Sequence, residues 1–155
     1  MNYWLMKSEP NAFSIDDLQA MPKQTEHWDG VRNYQARNMM RDEMKVGDQV
    51  FFYHSNCETP GIVGLMEVVR ESYPDHTAFD PQSKYFDPKS SPDKPRWFMV
   101  DIKYIRHTNR VISLSELKEH EPLENMPLVR KGNRLSIMPV SKAEWDYILQ
   151  LEEGR

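Results

Sequence analysis

A chain of 155 residues with 39% hydrophobic and 28% charged side chains is sized for one globular domain rather than two. Its net charge of −4 argues against a protein that coats nucleic acid without selectivity, because that mode scales with the phosphates neutralised by Lys and Arg. The single cysteine, Cys57, rules out an internal disulfide and a thiolate-rich zinc site, which favours a reducing, cytoplasmic setting with no metal or other cofactor.

No stretch reaches the roughly 20 apolar residues of a membrane span, so no membrane partner is expected. Met1 leads straight into the strand-like run Tyr3-Trp4-Leu5-Met6-Lys7, with no apolar core before a small-residue cleavage site, so secretion is not expected either. The strand ends at Ser8-Glu9-Pro10, since proline restricts the residue before it and cannot donate to a sheet. Ser14, with Asp17 three residues on, predicts a capped helix over 15–21 that Pro22 closes.

Asn33 predicts the cap of a helix reaching about Met44, with Ala36, Met40 and Met44 on its apolar side and Arg37, Arg41 and Lys45 beside them. Gly47-Asp48 turns the chain into a strand over 49–54, which runs through Ser55-Asn56 to Gly61 and the next strand, 62–69. From Pro74 through Pro95 there are five prolines and three aromatics, Phe79, Tyr85 and Phe86. Aromatics oppose disorder, so this predicts a packed functional loop.

A long strand is predicted over 97–108. Ser113 with Glu116, and Ser141 with Glu144, predict capped helices over 114–120 and 143–151, with Gly154 suited to the end of the last. Strands interleaved with short helices, without βαβ spacing, indicate an α+β class built on a curved or partly closed sheet.

Several strings stand together in order: Tyr3-Trp4-Leu5-Met6-Lys7-Ser8-Glu9-Pro10, the segment from Trp28-Asp29-Gly30 through Arg37-Asn38, then Phe52-Tyr53-His54-Ser55-Asn56, Gly61-Ile62-Val63-Gly64, Ala78-Phe79-Asp80-Pro81 and Pro95-Arg96-Trp97. This succession resembles the EVE domain, shared by the thymocyte nuclear protein group and bacterial relatives, over nearly the whole chain. The resemblance implies a PUA-like, partly closed β-barrel with short helices packed around it, related to YTH and ASCH domains. It also implies a pocket for a base of nucleic acid, such as a modified cytosine. Lys7-Ser8 and Ser55-Asn56 are similar to pocket-lining steps of YTH readers, and Trp28 stands where a cage tryptophan is expected. With Met1 directly before the first strand, the chain looks like the stand-alone bacterial type.

The residues themselves support base binding in part. A flipped base needs flat apolar walls and polar groups on its edge, and Trp28, Tyr34, Phe79 and Trp97, with Tyr85 and Phe86, are candidates for the walls. For each, ordinary core packing is the simpler account. Trp28, between polar neighbours and outside any periodic run, suits a half-exposed wall as well as burial. Lys7, Ser8, Asn33, Ser55 and Asn56 are candidates for the base edge.

Arg37, Arg41, Arg96, Arg130, Lys131 and Arg134 are candidates for phosphate contacts, the last three lying in the acid-free stretch 125–143. The expected partner is DNA or RNA containing a modified base, and the pocket is also suited to a small-molecule occupant. Two other readings stay open. One is an ASCH-like amidohydrolase acting on a modified nucleoside, drawing on Lys7, Ser8 and Glu9 with Thr25, Glu26 and His27, although strand alternation sends Ser8 to the face opposite Lys7 and Glu9. The other is a protein adaptor that docks through exposed aromatics of the loop at 73–97.

Overall fold

In the computed structural model, which describes residues 1–153, strand β1 (Tyr3–Ser8) sends Trp4 and Met6 into one core and Leu5 into another. β3 (Gln49–His54) repeats the pattern, with Phe52 on the first side and Phe51 and Tyr53 on the second. Period-two alternation of large apolar side chains on both faces fits a sheet covered on both sides.

The first side is covered by α1 (Ile15–Ala20) and α2 (Tyr34–Asp42). Ala36, Met40 and Met44 are buried there, as their spacing predicts. The second side is covered by α3 (Leu114–Leu117) and α4 (Lys142–Glu153), whose Leu117, Trp145 and Ile148 pack on Leu5 and Phe51. Trp145 stacks on Phe51 with ring centres 3.8 Å apart.

β2 (Thr25–His27), β4 (Gly61–Pro74), β5 (Phe98–Ser113) and β6 (Ile137–Val140) complete a six-stranded sheet in the order β2-β5-β4-β3-β1-β6. β1 and β3 run parallel and the other pairs antiparallel. Register shifts between β4 and β5 bend the long central strands. The edge strands β2 and β6 do not pair, so the sheet is mixed and open, an α+β architecture in which hydrogen bonding does not complete a barrel.

Two strands were not visible in the periodicity. β2 has three residues, and β6 contains Pro139, which is tolerated because β6 is an edge strand pairing with β1 alone. β4 and β5 run well past the predicted 62–69 and 97–108, because pairing with each other carries polar residues that alternation discounts. The capping boxes at Ser14 and Asp17 and at Ser141 and Glu144 form. The helix-ending role of Gly154 lies outside the described residues.

Candidate functional site

Where β1 ends, the chain turns at Pro10 and Phe13 returns beneath it, held by the Ser8 hydroxyl donating to the Phe13 carbonyl at 2.7 Å. The end of β2 and the loop 28–32 close in from the opposite edge. Between them opens a cavity of about 720 Å³, lined by Lys7, Ser8, Glu9, Ala12, Phe13, residues 26–32, Ser55, Lys84, Tyr85 and residues 134–136. That volume is within the roughly 300–1,000 Å³ usual for small-molecule sites.

Trp28 forms part of this lining. Its backbone N–H donates to the Val100 carbonyl at 2.8 Å, continuing the β2–β5 pairing by one residue. The indole lies edge-on to Phe52 and Phe13, with ring centres 5.5 and 6.4 Å away. At 8% exposure it is a rigid wall rooted in the core rather than a half-exposed flap.

A second aromatic of the lining is Tyr85, brought in from the long loop. Arg32 fixes it, donating from Nε and Nη2 to the Tyr85 carbonyl at 3.1 and 2.8 Å. Arg32 also pairs with Asp75, a fully buried carboxylate that accepts from the Gly30 N–H at 2.8 Å and from the Thr77 N–H and hydroxyl. Burial alone pushes the Asp75 carboxyl up, but the hydrogen bonds from Thr77, Gly30 and Arg32 outweigh it and hold the group below the ordinary carboxylate value. This cluster ties loop 28–32 to the end of β4 and the start of the long loop.

Gly30 has φ +77°, and a Cβ there would stand 2.5 Å from the Tyr85 ring. Both the left-handed backbone and the close ring therefore require glycine.

The polar lining carries both donors and acceptors. Burial lowers the Lys7 ammonium pKa, and its Nζ sits 5.7 Å from the Tyr53 ring centre. Glu9 accepts from the Asn56 amide at 2.6 Å. His27 pairs with Glu26 at 2.9 Å. Asp29 is raised above the ordinary carboxylate value, first by burial, with His27 opposing and Asp75 adding to the rise.

Of the sequence candidates, Lys7, Ser8, Trp28, Ser55 and Tyr85 line the cavity, and Arg134 joins them from the phosphate set. Asn33, Tyr34, Asn56, Phe79 and Trp97 are not in its lining. Asn33 is spent on capping α2, accepting from the Ala36 N–H at 2.9 Å. Asn56, in a left-handed turn with φ 51°, holds Glu9 from outside. Phe79 ends a 3-10 turn over His76–Phe79. Trp97 is buried, donating to Asp87 at 2.7 Å, and Tyr34 stacks on its ring.

Among the arginines, Arg37 donates to the Arg96 carbonyl and to Asn38, Arg41 pairs with Asp42, and Arg96 reaches the Tyr34 hydroxyl at 3.4 Å. Arg130 and Lys131 are exposed on the turn that precedes Arg134.

Sequence reasoning left Arg32, Asp75 and Gly30 without a role, and Asp29 likewise. Their signal was present in the uninterrupted string around Trp28, but pattern alone does not say that Arg32 reaches a carbonyl fifty-three residues away. Ser8, assigned by alternation to the face opposite Lys7 and Glu9, lines the same cavity as both, because the strand ends there and the chain turns.

The EVE domain family profile matches residues 2–151. The chain belongs to the EVE domain family. This EVE domain is 52% identical to rat thymocyte nuclear protein 1 over 170 aligned positions, covering 99% of this chain and 74% of the relative. It superposes with a TM-score of 0.93 on human thymocyte nuclear protein 1 in complex with DNA containing 5-methylcytosine, at 50% identity and covering 99% and 98% of the two chains. An ASCH protein from Zymomonas mobilis, 12% identical with a TM-score of 0.55, shares the fold only.

Proposed function

We propose that this EVE domain binds DNA and seats one modified cytosine in the cavity between Trp28 and Tyr85. The observation that carries this reading is the cavity itself: two aromatic walls face a rim of donors and carboxylates, in a chain half identical to a relative solved with methylcytosine DNA. Extracting a base costs a few kcal/mol, and stacking returns about 1–3 kcal/mol per base, so two fixed rings can offset the flip. A cytosine presents an exocyclic amine, which suits acceptors such as Asp29, Glu26 and Glu9, and a carbonyl, which suits Lys7.

The methyl group supplies about 0.8 kcal/mol, roughly fourfold, if buried against the walls. Larger selectivity has to come from a polar group left unpaired by the wrong base.

The test is fluorescence anisotropy with matched DNA and RNA oligonucleotides carrying cytosine or a modified cytosine, and with free modified nucleoside as competitor. Ser55→Trp, which puts an indole at a half-buried position of the lining, is expected to abolish selective binding while circular dichroism stays unchanged. Wild-type affinity in Ser55→Trp sinks the cavity assignment.

A second reading draws on one observation: Lys7, Ser8, Glu9, Glu26 and His27 share the cavity, a set able to move protons in amide hydrolysis on a modified nucleoside. Intact mass of the recovered ligand separates the two. Unchanged mass with tight binding supports the binding module, and a ligand whose acyl group is replaced by one hydrogen, the acyl group leaving as the carboxylic acid with the hydroxyl of water, supports the hydrolase.

A further inference from the structure

Outside the cavity, the rings that the sequence offered as base walls form a surface of their own. Tyr34, the first residue of α2, stacks on Trp97 with ring centres 4.7 Å apart and planes at 21°. Trp97 is 6% exposed and Tyr34 is 49% exposed, so the pair has a buried base and an open outer ring. The Arg37 guanidinium lies 4.7 Å from the Tyr34 ring centre and 6.0 Å from that of Trp97. A group on the outer face of Tyr34 would be much farther from Trp97 than from Tyr34, so Arg37 flanks the stack and leaves that face uncapped.

Arg96 flanks it as well, with Nη1 3.4 Å from the Tyr34 hydroxyl. Neither arginine has a carboxylate hydrogen-bond partner among the described residues: Arg37 donates to the Arg96 carbonyl and to the Asn38 amide oxygen.

The surface continues into the cavity wall. The Arg32 guanidinium is 5.3 Å from the Trp97 ring centre and 5.4 Å from that of Tyr85. Tyr85, Arg32, Trp97 and Tyr34 therefore form a continuous chain of contacts from the cavity lining to Tyr34. We infer that Tyr34, backed by Trp97 and flanked by Arg37 and Arg96, is a second nucleic-acid subsite: a platform on which a base near the extracted one stacks, with its phosphate between the two arginines. The inference rests on the proposed DNA-binding reading. An uncapped aromatic face beside guanidinium groups that no carboxylate hydrogen-bonds is the combination that binds strands without reading sequence, through stacking and phosphate contact together.

The test compares a duplex carrying one methylated cytosine with the free methylated nucleoside, which reaches the cavity alone. Tyr34→Ala is expected to weaken duplex binding about 5- to 150-fold, the equivalent of one stacked base. Its affinity for the nucleoside is expected to stay at the wild-type level, and Tyr34→Phe to bind the duplex like wild type. A 2-aminopurine placed beside the methylated cytosine is expected to lose fluorescence on binding wild type and to keep it with Tyr34→Ala.

Equal duplex affinity of Tyr34→Ala and wild type overturns the platform and leaves the exposed ring to a protein partner. Equal loss of duplex and nucleoside binding also overturns it, since Tyr34 would then act on the cavity. Wild-type protein that binds no duplex overturns the DNA-binding reading and the platform together, whereas Ser55→Trp losing the duplex while Tyr34→Ala keeps it sinks the platform alone.

Discussion

Gly30 allows the loop after Trp28 its close approach to Tyr85 in the cavity lining. Its φ of +77° and the 2.5 Å approach of Tyr85 to any Cβ mean that Gly30→Ala strains the backbone and displaces the ring together. Strain of this kind costs about 1–3 kcal/mol. We expect a corresponding fall in the chemical denaturation midpoint and weakened binding of the modified oligonucleotide. Unchanged values of both would mean that Tyr85 relaxes freely.

Trp28→Ala is the less informative change, because Trp28 packs on Phe13 and Phe52 and its truncation costs about 3–5 kcal/mol of stability. Binding lost in that variant would not separate the wall from the fold.

Asp75 and Glu152 give the fold a defined acid response. Asp75 is depressed despite its burial, by the bonds from Thr77, Gly30 and Arg32. Glu152 is depressed by its paired bonds from Arg106, against burial, with help from the Asn109 N–H. Because the folded values lie below the unfolded ones, each contributes stability that is fully present above the ordinary values of 3.8 and 4.5 and is lost as pH falls through the folded values. Asp75→Asn is therefore expected to lower stability at neutral pH and to flatten its decline in acid, read from denaturant midpoints across that range. A variant with the wild-type pH slope would remove Asp75 from this account.

At the scale of elements, the loop between β4 and β5 is held by a few long-range contacts rather than by regular pairing. Arg32 is the main one, bonding to Tyr85, Asp75 and Thr77. Removing it leaves Asp75 buried without its counter-charge, a loss of about 3–5 kcal/mol for buried pairs. Arg32→Ala is expected to expose the segment between residues 80 and 95 to limited proteolysis while the sheet stays folded. Cleavage at the wild-type rate would show that the loop's own turns suffice.

The helix α1 meets the sheet at Gly64, where a Cβ would stand 1.8 Å from Ile15 Cδ1 and 2.7 Å from the Arg106 carbonyl. The carbonyl cannot move aside as a side-chain tip can, so this glycine allows α1 its close seat, and α1 in turn follows directly on Phe13 of the cavity wall.

For the whole molecule, a net charge of −4 and a phosphate-binding function are compatible only if positive charge is local. Arg134 at the cavity mouth, with Arg130 and Lys131 on the same turn, provides one such locality. Each phosphate contact contributes about 0.9 to the slope of log affinity against log salt for duplex DNA. Arg134→Ala is expected to reduce that slope by about 0.9 while leaving the preference for the modified base unchanged. An unaltered slope would place the phosphates elsewhere.

The amino-acid sequence determined the strand-rich α+β character, the alternating apolar faces of β1 and β3, the caps at Ser14, Asn33, Ser113 and Ser141, and, through its ordered strings, the family. These are encoded within a few neighbouring residues, where period and capping chemistry operate. Lys7, Ser8, Trp28 and Ser55 were legible as candidates because they sit within those strings. Only the tertiary structure decided that Trp28 and Tyr85 line one cavity, that Tyr34 and Trp97 leave it to stack outside its lining, and that Arg32 and Asp75 join loops 43 residues apart. Such contacts depend on where sheet edges and turns bring distant segments together, and one chain's local pattern contains no term for that distance.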